Sequence, residues 1–488
     1  MTGSGKRRWC RLGLAAAALA LPAGPGAAEG LRPHAIDAQG AYRAADYVPV
    51  TRAIGQAPVV ALGESIHMTR EMPLVRLNVL RHLHETRGVD ALVLEGSLLD
   101  AWTAQEHAYR SKAPLGERAR TFTREALFGL WQTDEMEKVI AWTLGTQGTG
   151  RPVYITSFDL QPGSARARNG SSQLSMDAFA SALRALDPQL GAERAQGWSR
   201  ALGPALGCTG DLDREEAVAD LERWIAARAG PVLEPARPAA HLAVLRLAPQ
   251  MIRGRLQHCR AVRAPGRSRD VYQRVRDVMN ARLVGSLIRD MPRLVLWAHH
   301  SHVHHNSLGR SVPSMGQHLK SALGERLYTL GVFAGGGAAT DSLRADASSG
   351  PGIVAGLAAR PLSTESRFGV ERRLSRLSER DFFVDLRSAP AIWAQPDFSR
   401  AEVSLPMPTA LARDYDGVIL LQEVSGAELN FLPAPFRTLV RLAGWTLRHP
   451  IVATLAALLL MLALGAGVRA LWRRWRSRRS LRKSTGAL

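Results

Sequence analysis

Cysteine is scarce in this chain, with three among 488 residues. Neither Cys208 nor Cys259 sits in a nucleophile motif, and Cys10 lies in a leader-like segment. Long apolar runs are equally rare. Only one occurs, which excludes a multi-span transporter. Charged residues make up 22% and hydrophobic residues 46%, which excludes a mostly disordered chain, a coiled coil and a collagen-like fibre. Acidic residues are missing from both ends: none precedes Glu29, and none follows Arg469. Several catalytic signatures are missing too. There is no G-x-S-x-G elbow, no G-x-x-x-x-G-K-[ST] loop and no G-x-G-x-x-G after a strand pattern, which disfavours a serine α/β-hydrolase and nucleotide-binding enzymes.

The net charge of +20 is concentrated at the ends. Lys6, Arg7, Arg8 and Arg11 contribute +4, and seven arginines with Lys483 contribute +8 after Val468. No recognition motif accompanies this charge, so nucleic acid is not an expected partner. The basic start, the Ala/Leu run Leu12–Leu21 and the small residues up to Ala28 read as a secretory signal peptide over residues 1–28. An uncleaved N-terminal anchor is the alternative. Pro450–Val468 is a 19-residue stretch without charge. At 1.5 Å per residue it spans about 28 Å, enough for a single transmembrane helix. Arg-rich flanks stay inside, so residues 469–488 are expected in the cytoplasm and the body on the periplasmic side of the inner membrane. An exported chain can pair Cys208 with Cys259 or leave two buried thiols.

The body, residues 32–440, reads as one α/β domain. Val59–Gly63, Ala91–Leu94, Val153–Phe158, Leu294–Ala298, Leu327–Phe333 and Val418–Leu421 are short apolar strand patterns. Helical spacing lies between them, at Met72–Arg87 and Glu135–Leu144, with Gly88 a C-cap. This alternation implies a mostly parallel central sheet flanked by helices. Residues 161–289, rich in Ala, Arg and Leu, read as a helical insertion subdomain. Gly335–Gly337, Ser348–Gly350 and Ala389–Pro408 read as loops, and Arg372–Leu377 as a solvated helix.

Parallel sheets bind ligands beyond the carboxyl ends of their strands. Four patterned strands end there in Glu64, Glu95, Asp159 and His299. Glu64 and His67 are three apart, and a carboxylate beside an imidazole can fix its tautomer for general-base work. Taken alone, E-x-x-H reads more plainly as an N-cap with a surface histidine. Five histidines fall between His299 and His305. They read as a metal site, or as a pair, His299 and His302, that polarises a substrate oxygen. His304 and His305 read as exposed loop residues.

Eight segments in order resemble the erythromycin esterase family. They are Gly63–Glu71, Val93–Ser97, Trp131–Glu135, Phe158–Gln161, Arg276–Met279, Trp297–Val303, Ser314–Leu319 and Tyr415–Gly417. The resemblance implies a three-layer α/β fold with a deep cleft and a small-molecule ester or lactone substrate. It implies water-based hydrolysis without metal or other cofactor. His67 would activate water with Glu64, and His299, His302 or Arg76 would stabilise the oxyanion. Glu95 would orient a histidine or arginine, and Arg76, Arg70, Asp159 and Met315 would contact substrate. Ile66, Met68 and His300 depart from the family's usual residues. Two other readings stay open: a metal-dependent hydrolase using Glu64, His67, His299 and His302, and a non-catalytic envelope binding module.

Overall fold

The structure is a computed structural model. It describes residues 30–38, 41–162, 172–229, 237–265, 269–306, 312–340, 359–363 and 367–428. The expected signal peptide, Ser348–Gly350, the apolar run Pro450–Val468 and the basic tail lie outside the described residues. Among the described residues, no helix is long and apolar enough to cross a membrane.

Strands β1 (His34–Ala35), β2 (Val59–Glu64), β3 (Ala91–Ser97), β4 (Tyr154–Asp159), β5 (Leu294–His299), β6 (Leu327–Thr340), β7 (Ala359–Pro361), β8 (Phe382–Asp385), β9 (Asp397–Ala401), β10 (Leu405–Thr409) and β11 (Gly417–Val424) form two sheets. The main sheet runs β1-β8-β11-β6-β2-β5-β3-β4, with β7 beside β6. Its six central strands, from β11 to β4, are parallel. β8 and β1 add an antiparallel edge. The sheet is therefore mixed around a parallel centre.

Helices α1 (Ala44–Ile54), α2 (Glu71–Arg87), α3 (Leu98–Arg110), α4 (Leu115–Ala126) and α5 (Asp134–Thr146) precede the helical region. That region holds α6 (Ser172–Leu186), α7 (Ala192–Leu206), α8 (Glu215–Arg228), α9 (Ala239–Arg263) and α10 (Arg269–Asp290). The short α11 (His300–Val303) and α12 (Met315–Leu323) follow β5.

The central strands are buried on both faces, and successive side chains feed opposite layers. Val59 and Ala61 of β2 face one core with α3, α6–α10 and α12. Val60 and Leu62 face the other, with α1, α2, α4 and α5. β5 splits the same way, with Leu294, Leu296 and Ala298 opposite Val295 and Trp297. A third cluster, around Phe333, Phe382 and Tyr415, covers the antiparallel edge.

The path from β2 through β3 to β4 moves toward one edge. β5 then returns between β2 and β3, and β6 crosses to the other side of β2. This reversal opens a crevice outside the carboxyl ends of β2, β5 and β6.

Four expectations are corrected. Gly335–Gly337 is not a loop but the continuation of β6. A Cβ at Gly337 would lie 2.0 Å from the Val424 carbonyl oxygen, so only glycine lets β6 pair with β11 there. Ala389–Pro408 is not a plain loop either, because β9 and β10 pair antiparallel within it. Pro406 and Pro408 hid β10 from sequence reading, since proline cannot donate to a ladder and is confined to edges. The helix near Arg372 runs over Gly369–Ser375 and buries Val370, Glu371 and Leu374. Finally, His304 is buried, and His305 is largely covered, its Nε2 bonding to Thr329 Oγ1 at 2.7 Å. Cys208 and Cys259 form a disulfide that ties the segment after α7 to α9.

Candidate active site

Glu64 ends β2, and the chain then turns through Ser65–Thr69 into α2. His67 Nδ1 meets Glu64 Oε1 at 2.7 Å. The second Glu64 oxygen is held by Arg76, one helical turn into α2. Arg76 is fully buried. Its Nη1 donates to the Leu62 carbonyl and its Nε to the Met72 carbonyl, and its guanidinium lies 3.9 Å over the Trp297 ring. Burial lowers its pKa to about 10, which leaves it cationic at neutral pH. All its bonds point inward, so Arg76 fixes Glu64 rather than facing substrate. Met68 holds φ +55°, in the left-handed region that the turn into α2 demands.

His299 ends β5. Its Nδ1 accepts from the Ser301 N–H at 3.1 Å, so Nε2 carries the proton and donates to the Ser65 carbonyl at 3.1 Å. Burial and the neighbouring His67 cation push its pKa well down, so it is neutral. The His67 and His299 rings lie 4.7 Å apart. Trp131, from the segment before α5, stands edge-on to His67 at 4.8 Å.

Sequence reading missed Glu402. It sits in the turn between β9 and β10 with φ +59°. Its Oε1 lies 3.6 Å from His67 Nε2 and 3.8 Å from His299 Nε2. Burial opposes a charge on His67, but Glu402, Glu64 and Glu95 together outweigh it and raise its pKa to about 9. No local motif marks Glu402, because it lies in a stretch that reads as a loop.

A second cluster adjoins the first. Glu95, at the end of β3, accepts the His299 backbone N–H at 2.8 Å and meets His302 Nε2 at 3.3 Å. His302 Nδ1 meets Asp277 at 2.9 Å. Burial opposes the charge here too, but Glu95 and Asp277 raise the His302 pKa to about 9. Burial alone would raise the Glu95 pKa, and His302, His67 and Arg276 bring it well below the usual carboxylate range. Arg276 binds Asp159 with two nitrogens and approaches Glu95 at 3.7 Å.

The structure thus brings Glu64, His67, His299 and Glu95 together. Both His302 nitrogens are committed to carboxylates, and Asp159 is committed to Arg276. Arg70 is exposed, and its backbone N–H bonds to Ser425. Met315 is fully buried in the core. Arg276 and Asp277 belong to a segment singled out in the sequence, yet their roles emerge only here.

His67, His299 and Glu402 each bring one potential ligand atom within 4.8 Å of the others. A metal there would have to displace the proton that Glu402 and Glu64 favour on His67 and break the His299 bond to the Ser65 carbonyl. Glu64 and His302 face other partners.

Residues 84–424 match the family model described as Erythromycin esterase. The chain belongs to the erythromycin esterase family. The match begins after Glu64 and His67, which the fold places at the same strand ends as Glu95 and His299. "Putative hydrolase YbfO" of Bacillus subtilis (strain 168) is 23% identical over 103 residues, which cover 21% of this chain and 22% of that protein. A Bacillus cereus protein of known structure superposes with TM-score 0.62 at 16% identity, covering 82% of this chain and 96% of its own. A succinoglycan biosynthesis protein gives TM-score 0.59 at 14% identity, with coverage of 82% and 96%. A mutant of erythromycin esterase EreC in its open conformation gives 0.58 at 18% identity, covering 82% and 98%. These three share the fold of this hydrolase family.

Proposed function

We propose that this protein is an exported, membrane-anchored hydrolase that opens an ester or lactone with water, without a metal. Family membership supports the hydrolase. One observation carries the chemistry: His67 has Nδ1 tied to Glu64 at 2.7 Å and Nε2 facing Glu402 at 3.6 Å, beyond the carboxyl ends of the strands. His67 is therefore the proton-transfer group, oriented by Glu64, which Arg76 holds in turn. His299 lies beside His67, and its Nε2–H, which donates to the Ser65 carbonyl in the resting site, would have to leave that carbonyl to meet a developing oxyanion, a contribution of about 3–4 kcal/mol for a well-placed donor. Glu95 braces His299 through its backbone and His302 through its ring. The signal-like start, the apolar run Pro450–Val468 and the basic tail support a periplasmic site for the body.

The test is hydrolysis of an ester and lactone panel, macrolides included, by the full chain in detergent. Water addition is read by mass spectrometry with and without a chelator. Activity that survives chelation and disappears in His67→Ala is the expected result. Activity lost to chelation, or retained in His67→Ala, overturns the reading.

A further inference from the structure

β11 hands the chain on to Ser425–Glu428, and this segment lies along the turn that carries His67. The Ser425 N–H and Oγ–H donate to the Glu71 carboxylate at 2.7 and 2.6 Å, and the Arg70 N–H donates to the Ser425 carbonyl at 2.9 Å. The Ala427 N–H donates to the Met68 carbonyl at 2.9 Å, and the Glu428 carbonyl accepts the Asp134 N–H at 2.7 Å. Asp134 opens α5, three residues after Trp131, whose ring stands against His67. These bonds hold Glu428 at the carboxyl ends of the strands, beside the site.

The sequence after Glu428 is amphiphilic. Leu429–His449 has 21 residues, among them Phe431, Leu432, Phe436 and Trp445. It holds Arg437, Arg441 and Arg448 and no acid, and the uncharged Pro450–Val468 follows. Bulky apolar residues with arginine and tryptophan suit the surface of an anionic bilayer. The tether is also short for the size of the body. Roughly 400 residues make a body about 55 Å across. Carrying Glu428 to the side away from the membrane would take about 85 Å around that body, whereas 21 residues reach at most about 70 Å.

The rim of the site agrees in character. Phe128 and Leu130, just before Trp131, are only partly buried. Leu405, three residues past Glu402 in the hairpin, is 44% exposed. Arg70 is exposed beside Ser425. Within the site, His67 and His299 keep only 7% and 6% exposure. A slender acyl chain reaches such rings more readily than a broad one does.

We propose that the site opens toward the membrane surface and hydrolyses a long-chain acyl ester drawn from the bilayer. This rests on the anchored ester-hydrolase reading and names its substrate class. The water oxygen bonds to the acyl carbon, the acyl carbon–oxygen bond breaks, and one water proton ends on the leaving oxygen. One ester and one water give one fatty acid and one alcohol. The apolar rim takes the acyl chain, and Arg70 meets anionic head groups.

The test uses the full chain in vesicles of ether-linked phosphatidylcholine and phosphatidylglycerol, which contain no ester bond. Nitrophenyl palmitate in the bilayer is compared with nitrophenyl acetate in the buffer. The palmitate should show a kcat/KM at least about tenfold higher. A flexible Gly/Ser insertion of about 60 residues between Pro433 and Ala434 should cut palmitate turnover about 5–10-fold, because effective concentration falls roughly as the −3/2 power of tether length. The acetate rate should not change. A palmitate rate no higher than the acetate rate, or one indifferent to the insertion, overturns the proposal while the ester reading stands.

Orientation has a readout apart from activity. Leu405→Cys and Gln56→Cys place a fluorophore at the crevice end and at the opposite end, just before β2. Lipid-borne nitroxides should quench the label at 405 and spare the label at 56. Equal quenching overturns the orientation. If neither ester is hydrolysed, the ester reading and the substrate class fail together, and quenching confined to 405 still supports a site that faces the membrane.

Discussion

The backbone N–H of Glu402 donates to the carbonyl oxygen of Ser65 at 2.9 Å. This single bond fastens the β9–β10 hairpin to the turn that follows β2. The same Ser65 oxygen accepts His299 Nε2–H. One carbonyl therefore sets the tautomer of one histidine and the position of the carboxylate beside another.

His67→Asn should remove most turnover, about 10²–10⁴-fold in kcat, with little change in stability. Rates on the best panel substrate and urea unfolding of the same preparation check this. Loss of the cooperative unfolding transition would instead assign His67 to the fold.

Arg76→Met should be destabilising, by up to about 3–5 kcal/mol, because it leaves one oxygen of the buried Glu64 carboxylate without its cation and His67 as the remaining charged partner. Adding Glu64→Gln should recover part of that loss. Urea midpoints of the single and double variants measure the coupling. Additive losses would mean that the two side chains are not energetically paired.

Stability should fall as pH rises from 6.5 to about 9. The folded-state pKa of His302 is raised above its ordinary value of 6.5. Its contribution is therefore complete below 6.5 and is lost as pH rises through about 9. His67 adds a loss in the same window. Urea midpoints across this range should drop in wild type and less steeply in His302→Gln. Equal slopes would refute a cationic His302 between Glu95 and Asp277.

Gly316→Ala should destabilise the protein by about 1–3 kcal/mol, the usual cost of forced overpacking. A Cβ there would lie 2.1 Å from the Val303 carbonyl oxygen, so α12 must move away from α11. A lowered melting temperature with weaker activity is expected, because α11 carries His302. An unchanged melting temperature would contradict the close approach.

Opening the Cys208–Cys259 bridge should cost at most about 4 kcal/mol, the chain-entropy value for its 51-residue separation. Urea unfolding with and without reductant measures it. The double serine variant should match the reduced wild type.

Much of the parallel sheet was legible in the sequence. Runs such as Val59–Gly63 and Leu294–Ala298 are buried on both faces, and burial of that kind writes itself as uninterrupted apolar residues. Strand ends were legible too, since Glu64, Glu95, Asp159 and His299 interrupt those runs with polar chemistry. The helical region followed from composition. The antiparallel edge was not legible, because β1 and β8 are short and lack alternation. The hairpin was concealed by Pro406 and Pro408.

The sequence alone determined that a carboxylate and a histidine stand three residues apart after a buried strand, because local spacing fixes local neighbours. It determined likewise that His299 closes another strand. Only the tertiary structure decided which partners occupy each nitrogen. His302 is spent between Glu95 and Asp277, Arg76 is spent on Glu64, and Glu402 arrives from more than 300 residues away. The physical reason is that proton location depends on contacts made across the sheet, and no periodicity within one segment encodes them.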